Sequence, residues 1–319
     1  MRQTQPRPRR LSSPALVNPL GWAIHTEGLC KRYRETLALD ALNLDVGKGE
    51  VYGYLGPNGS GKTTTIRLLL GLHRPSSGRA MLFGVDAWSA PVRAHRSVAY
   101  VAGEPFLWPS LTSAETFEFL ARLHGGTDVA YRDALVERFQ LDTRKKIRAL
   151  SKGNRQKVQL IAALATRAEL LLLDEPTSGL DPLMEVAFRD CVREARERGQ
   201  TVFLSSHILS EVEALCDRIG ILREGRLVDE GTLAELRHLA AHTVEVTFAG
   251  RAPALPELEG VRVRGAGPNA LRFEVSGGVG PLIAALAEVG EGSIETLTSR
   301  EPSLEEIFLH HYDGSGGRA

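Results

Sequence analysis

At 319 residues, 43% of them hydrophobic, the chain can bury a large core and suggests one big domain with a smaller companion. Its 39 basic and 39 acidic residues cancel, so no net basic field argues for nucleic acid and only a local patch could bind it. The three cysteines, Cys30, Cys191 and Cys216, are far apart and lack CxxC spacing, which excludes a disulfide framework, shows no zinc signature and favours a reducing compartment.

Residues 1–20 are basic and proline-rich. They read as a disordered, solvated tail; a weak attraction of Arg2, Arg7, Arg9 and Arg10 to anionic lipid is the sharper alternative. The apolar piece there is short and broken by prolines, so a leader peptide is not expected. No run approaches the roughly 20 apolar residues that span a bilayer.

Short apolar runs follow: "VYGYL" (51–55), "VAYV" (98–101), "LLLLD" (170–174), "TVFLS" (201–205) and "RIGIL" (218–222). Separated by helical stretches, they predict a buried, mainly parallel sheet. "GRAMLFG" and "AWSAPVRAHRSVAYV" suggest a β-rich flank. Residues 112–165 read as a helical block inserted between two strands. The pattern changes after about residue 240. "HTVEVTF" places Val244, Val246 and Phe248 on one face, and the rest fits a β-β-β-α-β-α unit. Its last helix carries capping-box spacing at Ser303 and Glu306. A loose tail is expected over residues 313–319. No internal repeat is visible. The His310–His311 pair has no accompanying ligand set and reads as a helix end rather than a metal site.

"GPNGSGKTTT" (56–65) has the spacing of a phosphate loop, with a strand before it and a helix after. Gly56, Gly59 and Gly61 let backbone N–H groups close around an anion, and Asn58 and Ser60 complete the loop. Lys62 would reach the β- and γ-phosphates, Thr63 would ligate Mg²⁺, and Thr64 would donate to the α-phosphate. "LLLLDEP" delivers Asp174 and Glu175 to a strand end, where ligands bind in α/β sheets. Asp174 would hold Mg²⁺, directly or through water; Glu175 would polarise the attacking water. His207, in "LSSHIL" just past the next strand, suits a γ-phosphate contact. Tyr33, just upstream of "VYGYL" and its strand, is a candidate platform for adenine.

The order "GPNGSGKTT", "LSKGNRQ", "LLLLDEPTSGLD", "SSHIL" resembles the ATP-binding subunit of ABC transporters over about residues 22–235. The resemblance implies an α/β P-loop NTPase fold: a mainly parallel sheet core, an antiparallel β flank, an inserted helical subdomain at about 110–165, and a small C-terminal α+β domain. The implied boundaries are 21–237 for the ATPase domain and 238–312 for the appendage. It also implies that two such subunits sandwich two ATP molecules, each signature loop covering the nucleotide of its partner. Ser151 and Gly153 would act in trans, with Ser151 capping a helix that starts near Gly153, and Asp181 would lie across the dimer interface.

Two positions depart from that family. The signature reads Leu150-Ser151-Lys152-Gly153-Asn154 instead of LSGGQ. The glutamine expected after "YV" is replaced by Gly103, with Glu104 next; either Glu104 contacts Mg²⁺ or water, or this loop only couples to the membrane partner. Phe106 and Trp108 are candidates for that coupling or for the core. The resemblance implies ATP hydrolysis with Mg²⁺ and export through a separate permease, of a drug-, antibiotic- or lipid-like cargo. A homodimer peripheral to the cytoplasmic face of the plasma membrane follows. The closing "EPSLEEIFLHHY" looks like the appendage of ABC-2 exporter ATPases. The rival reading, a soluble ABC ATPase acting on nucleic acid or ribosomes, is disfavoured by the neutral charge, the single copy and the lack of heptads.

Overall fold

The computed structural model describes residues 21–239, 242–253, 256, 258–275, 278–288, 294–300 and 303–313. The expected tails therefore lie outside it, except Asp313, and so do the side chains of His310 and His311. The chain divides into two compact units between Glu230 and Gly231. Helix α8 (Leu233–Leu239) belongs to the second unit, so the expected junction at 237/238 falls inside a helix and the division lies before it.

Strands β3 (Val51–Leu55), β6 (Val98–Val101), β7 (Leu170–Asp174), β8 (Thr201–Ser206), β9 (Arg218–Arg223) and β10 (Arg226–Gly231) form one sheet in the order β10-β9-β3-β8-β7-β6. Every pairing from β9 through β3, β8 and β7 to β6 is parallel. Every residue of β3, β7 and β8 is buried, as expected of strands covered on both faces. The period of two divides β7 between two cores. Leu171 and Leu173 pack with Ile161, Phe188 and Val192, whereas Leu170 and Leu172 pack with Leu39, Ile66 and Tyr54.

The second core is closed by an antiparallel sheet, β2-β1-β4-β5, made of β1 (Trp22–Tyr33), β2 (Thr36–Gly47), β4 (Ser77–Leu82) and β5 (Val85–Asp86). The expected flank at "GRAMLFG" is β4, but "AWSAPVRAHRSVAYV" is not β-rich: Pro91 opens a short helix over Pro91–Ala94, a tight turn follows, and "VAYV" joins the parallel sheet; the long β1–β2 ribbon was missed. Leu39, Leu42, Leu44 and Val46 carry its buried face, but Ala41 at φ +49° and a register shift between Thr26 and Leu29 interrupt the alternation. Tyr33 is accordingly the last residue of β1, two strands before β3.

The helical block comprises α3 (Ser113–His124), α4 (Val129–Arg138) and α5 (Lys152–Ala165). Thr112 and Glu115 form a reciprocal capping box, and Asp128 and Ser151 cap the other two. Such caps contribute about 1 kcal/mol each. Helices α1 (Lys62–Leu69), α2 (Pro91–Ala94), α6 (Pro182–Glu197) and α7 (Leu209–Leu215) complete the first unit.

After α8 the second unit runs β11 (His242–Phe248), β12 (Val261–Ala266), β13 (Ala270–Val275), α9 (Gly280–Ala287), β14 (Ile294–Arg300) and α10 (Leu304–Asp313), the predicted order. Its antiparallel sheet, β12-β13-β11-β14, presents Val244, Val246 and Phe248 to Leu282 and Leu286 of α9. The Ser303–Glu306 capping box is formed.

Candidate functional site

The phosphate loop leaves β3 at Leu55 and enters α1 at Lys62. Gly61, at φ +114°, makes the turn; a Cβ there would stand 2.8 Å from the carbonyl oxygen of Ala38. The first helical turn holds no acid, and Thr65 closes it by donating to Gly61 O at 3.1 Å. Thr63 and Thr64 are half-buried at its start.

Lys62 is buried, and its ammonium donates to the carbonyls of Gly56 at 2.6 Å and Pro57 at 3.2 Å. Burial lowers its pKa, against the opposing fields of Glu175 and Asp174. Ser60 Oγ is buried without a hydrogen-bond partner. An ammonium resting on its own loop and an orphaned hydroxyl are both donors, so the loop fits a phosphate anion.

Asp174 ends β7 and Glu175 follows it. Asp174 is buried; the Ser205 hydroxyl, opposite it in the β7–β8 register, donates to its Oδ1 at 2.6 Å. Glu175 takes φ +46°, a left-handed conformation that costs on the order of 1–3 kcal/mol in a residue with a Cβ. Its amide donates to Ser205 O at 3.0 Å, and its Oε1 lies 3.7 Å from Lys62 Nζ and 3.2 Å from His207 Nδ1. The sheet order thus brings three predicted residues together. Lys62 follows β3, Glu175 follows β7 and His207 follows β8, the strand between them. A cavity of about 270 Å³ opens beside Glu175 and His207. A larger, open groove of about 520 Å³ runs along α6 beside Arg138, with no phosphate-loop residue in its walls.

The signature segment lies at the start of α5. Ser151 is the N-cap and accepts from Asn154 N at 3.2 Å, so the helix starts at Lys152, one residue before Gly153. Lys152 Nζ donates to Ser178 Oγ at 3.1 Å. Asp181 caps α6 by accepting from Met184 N at 3.1 Å, and it lies 3.9 Å from Lys157 Nζ.

Tyr33 is partly exposed, bonded through its hydroxyl to His73, with Lys31 Nζ 4.9 Å from its ring centroid. Gly103 lies against β7; a Cβ there would stand 3.1 Å from Asp174 O. Glu104 is exposed and joins no metal-binding cluster, since no group of three or more His, Cys, Asp or Glu suited to a metal occurs among the described residues. Phe106 is 97% exposed, and Trp108 packs edge-on to Phe119 on the surface, so neither is a core residue.

Ser205 and Gln156, whose side chain donates to Pro176 O at 3.0 Å, went unnoticed in the sequence. Ser205 could have been found by aligning "LLLLD" with "TVFLS" as neighbouring strands.

A parallel sheet with a phosphate loop after one strand, an acidic pair after another and a capped signature helix is the arrangement of an ABC-type P-loop ATPase. Comparison with known proteins agrees. Residues 39–178 match the ABC transporter family, and residues 231–312 match the C-terminal domain of DrrA1-3-like ATP-binding proteins. The daunorubicin resistance ATP-binding protein DrrA3 of Streptomyces coeruleorubidus is 38% identical over 90% of this chain and 95% of its own length. The bacitracin transport ATP-binding protein BcrA of Bacillus licheniformis is 40% identical over 65% of this chain and 69% of its own. A solved ATP-binding subunit of an ABC transporter superposes with a TM-score of 0.64 at 31% identity, covering 67% of this chain and 92% of that one. The chain belongs to the ABC transporter ATP-binding proteins, and it is an ATP-hydrolysing subunit of that type. The reading as a nucleic-acid or ribosome ATPase has no support among these relatives. No helix among the described residues is long and apolar enough to cross a membrane.

Proposed function

We propose that this subunit powers export of an antibiotic-, drug- or lipid-like compound through a separate permease, as a homodimer on the cytoplasmic face of the plasma membrane. The observation that carries the hydrolytic reading is the single oxygen, Glu175 Oε1, shared between Lys62 and His207. Two relatives named for daunorubicin resistance and bacitracin transport, together with the C-terminal match, support the cargo class.

In this reading Gly56, Asn58, Gly59, Ser60, Gly61 and Thr64 cradle the phosphates, and Lys62 leaves its loop carbonyls for the β- and γ-phosphates. Thr63 and Asp174 would hold Mg²⁺, with Glu104 a further candidate; bound there, the ion would neutralise developing phosphate charge. Ser205 fixes the Asp174 carboxylate for that task. Glu175 accepts a proton from the attacking water as its oxygen bonds to the γ-phosphorus, and His207 keeps Glu175 in line with the γ-phosphate. Tyr33 stacks on adenine. Ser151 and Gly153 present the α5 N-terminus to the partner's nucleotide, and Asp181 links the two sites. The exposed Phe106 and Trp108 contact the permease.

The test is purification of tagged Glu175→Gln protein from native membranes with ATP and Mg²⁺, followed by mass spectrometry. A stoichiometric polytopic membrane protein is expected. Recovery only from the soluble fraction, with ribosomal proteins or DNA attached, would overturn the proposal.

A further inference from the structure

We infer that Glu211 is a positioning residue for ATP hydrolysis: its buried carboxyl holds the Ser206–His207 turn, and thereby aims His207 at Glu175. The inference rests on the roles proposed for His207 and Glu175.

The imidazole of His207 is about half exposed (51%), so little packing orients it. Its direction is set by the backbone turn that carries it. That turn is pinned from both sides by one hydroxyl. Ser206 Oγ accepts from Ile208 N at 3.0 Å and donates to Glu211 Oε2 at 2.8 Å. Glu211 itself is 7% exposed, in the first turn of α7. One buried acid therefore holds the turn whose imidazole meets Glu175 Oε1.

Burial pushes the Glu211 carboxyl above its usual range, against the Ser206 and Thr177 hydroxyls and the His207 field, with Glu185 adding like charge. Its second oxygen, Oε1, is buried without a hydrogen-bond partner. Oε2 serves the turn as the acceptor of the Ser206 hydroxyl. A glutamine amide supplies the same acceptor in the same volume. Alanine leaves the buried Ser206 hydroxyl without its acceptor and a gap beneath the turn. A carboxylate that served only the α7 N-terminus would affect melting temperature, not turnover.

The experiment measures kcat, KM and fluorescent ATP-analogue affinity for the full chain and its Glu211→Ala, Glu211→Gln, Ser206→Ala and His207→Ala variants. Glu211→Ala should lose about tenfold to hundredfold in kcat, with KM and analogue affinity held within about twofold and Glu211→Gln within about threefold of the parent. Adding Glu211→Ala to His207→Ala should cost nothing further, because both act on one group. Should Glu211→Ala fail to fold, Ser206→Ala removes the same bond and carries the same expectation. A parental kcat in Glu211→Ala beside a crippled His207→Ala would overturn this inference alone, as would equal losses in the Gln and Ala variants. Parental turnover by His207→Ala would overturn the site reading beneath it.

Discussion

Gly153 and Gly179 lie backbone against backbone: a Cβ added to Gly153 would overlap the carbonyl oxygen of Gly179. Gly179 occupies the left-handed region at φ +83°, and the Lys152–Ser178 hydrogen bond ties the same two segments through side chains. The N-terminus of α5 and the turn after β7 are therefore packed as one body. A motion of the signature helix carries the turn that follows Glu175.

This contact predicts a large effect from a small change. We predict that Gly153→Ala forces the segments apart and lowers stability by about 1–3 kcal/mol, the usual cost of overpacking. Turnover should fall by about tenfold or more, since displacement near a reacting centre is costly. Thermal melts and ATPase rates check it; an alanine variant matching the parent in both would refute the tight contact.

Glu175→Gln should separate binding from chemistry. The amide keeps an oxygen near Lys62 and His207 but accepts protons poorly, so turnover is expected to drop by roughly 10²- to 10⁴-fold. ATP should remain bound, and an ATP-dependent dimer should appear on a sizing column. Lys62→Ala should instead abolish nucleotide retention. The reverse pattern, binding lost in Glu175→Gln and kept in Lys62→Ala, would exchange the two roles.

A pH-dependent contribution is built into the β1–β2 ribbon. His25 lies between Asp45, with Nδ1 at 2.5 Å, and Glu27, with Nε2 at 3.0 Å. Burial lowers its pKa, but the hydrogen bonds to Asp45 and Glu27 outweigh that and the net shift is upward. A raised folded pKa means that this stabilisation is complete below the unfolded value of about 6.5 and is lost as pH rises through the folded one. The stability gap between the parent and His25→Ala, from urea titrations, should therefore be widest in mild acid and shrink as pH rises past neutrality. A gap that widens toward alkaline pH would contradict the ion-pair assignment.

Phe106 gives the permease contact its simplest test. Its side chain is almost wholly exposed, so removing it should leave the fold and basal ATPase unchanged. Phe106→Ser is expected to weaken recovery of the membrane partner in the pull-down from membranes. Equal recovery would move the docking surface elsewhere.

Much of this protein is written in stretches a few residues long. The continuous apolar runs at 51–55, 170–174 and 201–205 specify buried parallel strands whatever surrounds them, because both faces must be covered. The caps at Ser151 and Ser303 are likewise legible because donors and acceptors within one turn satisfy each other, and the phosphate loop from Gly56 to Thr64 because its glycine and lysine spacing lies within one loop. Only the tertiary structure decided the rest. The β1–β2 ribbon hides behind a bulge that breaks its alternation, the Ser205–Asp174 bond depends on strand register, and the Gly153–Gly179 approach depends on how a helix end meets a turn. The Ser206–Glu211 bond joins the end of β8 to α7. Those relationships arise from packing between segments, where the energy of a contact depends on partners that no local window contains.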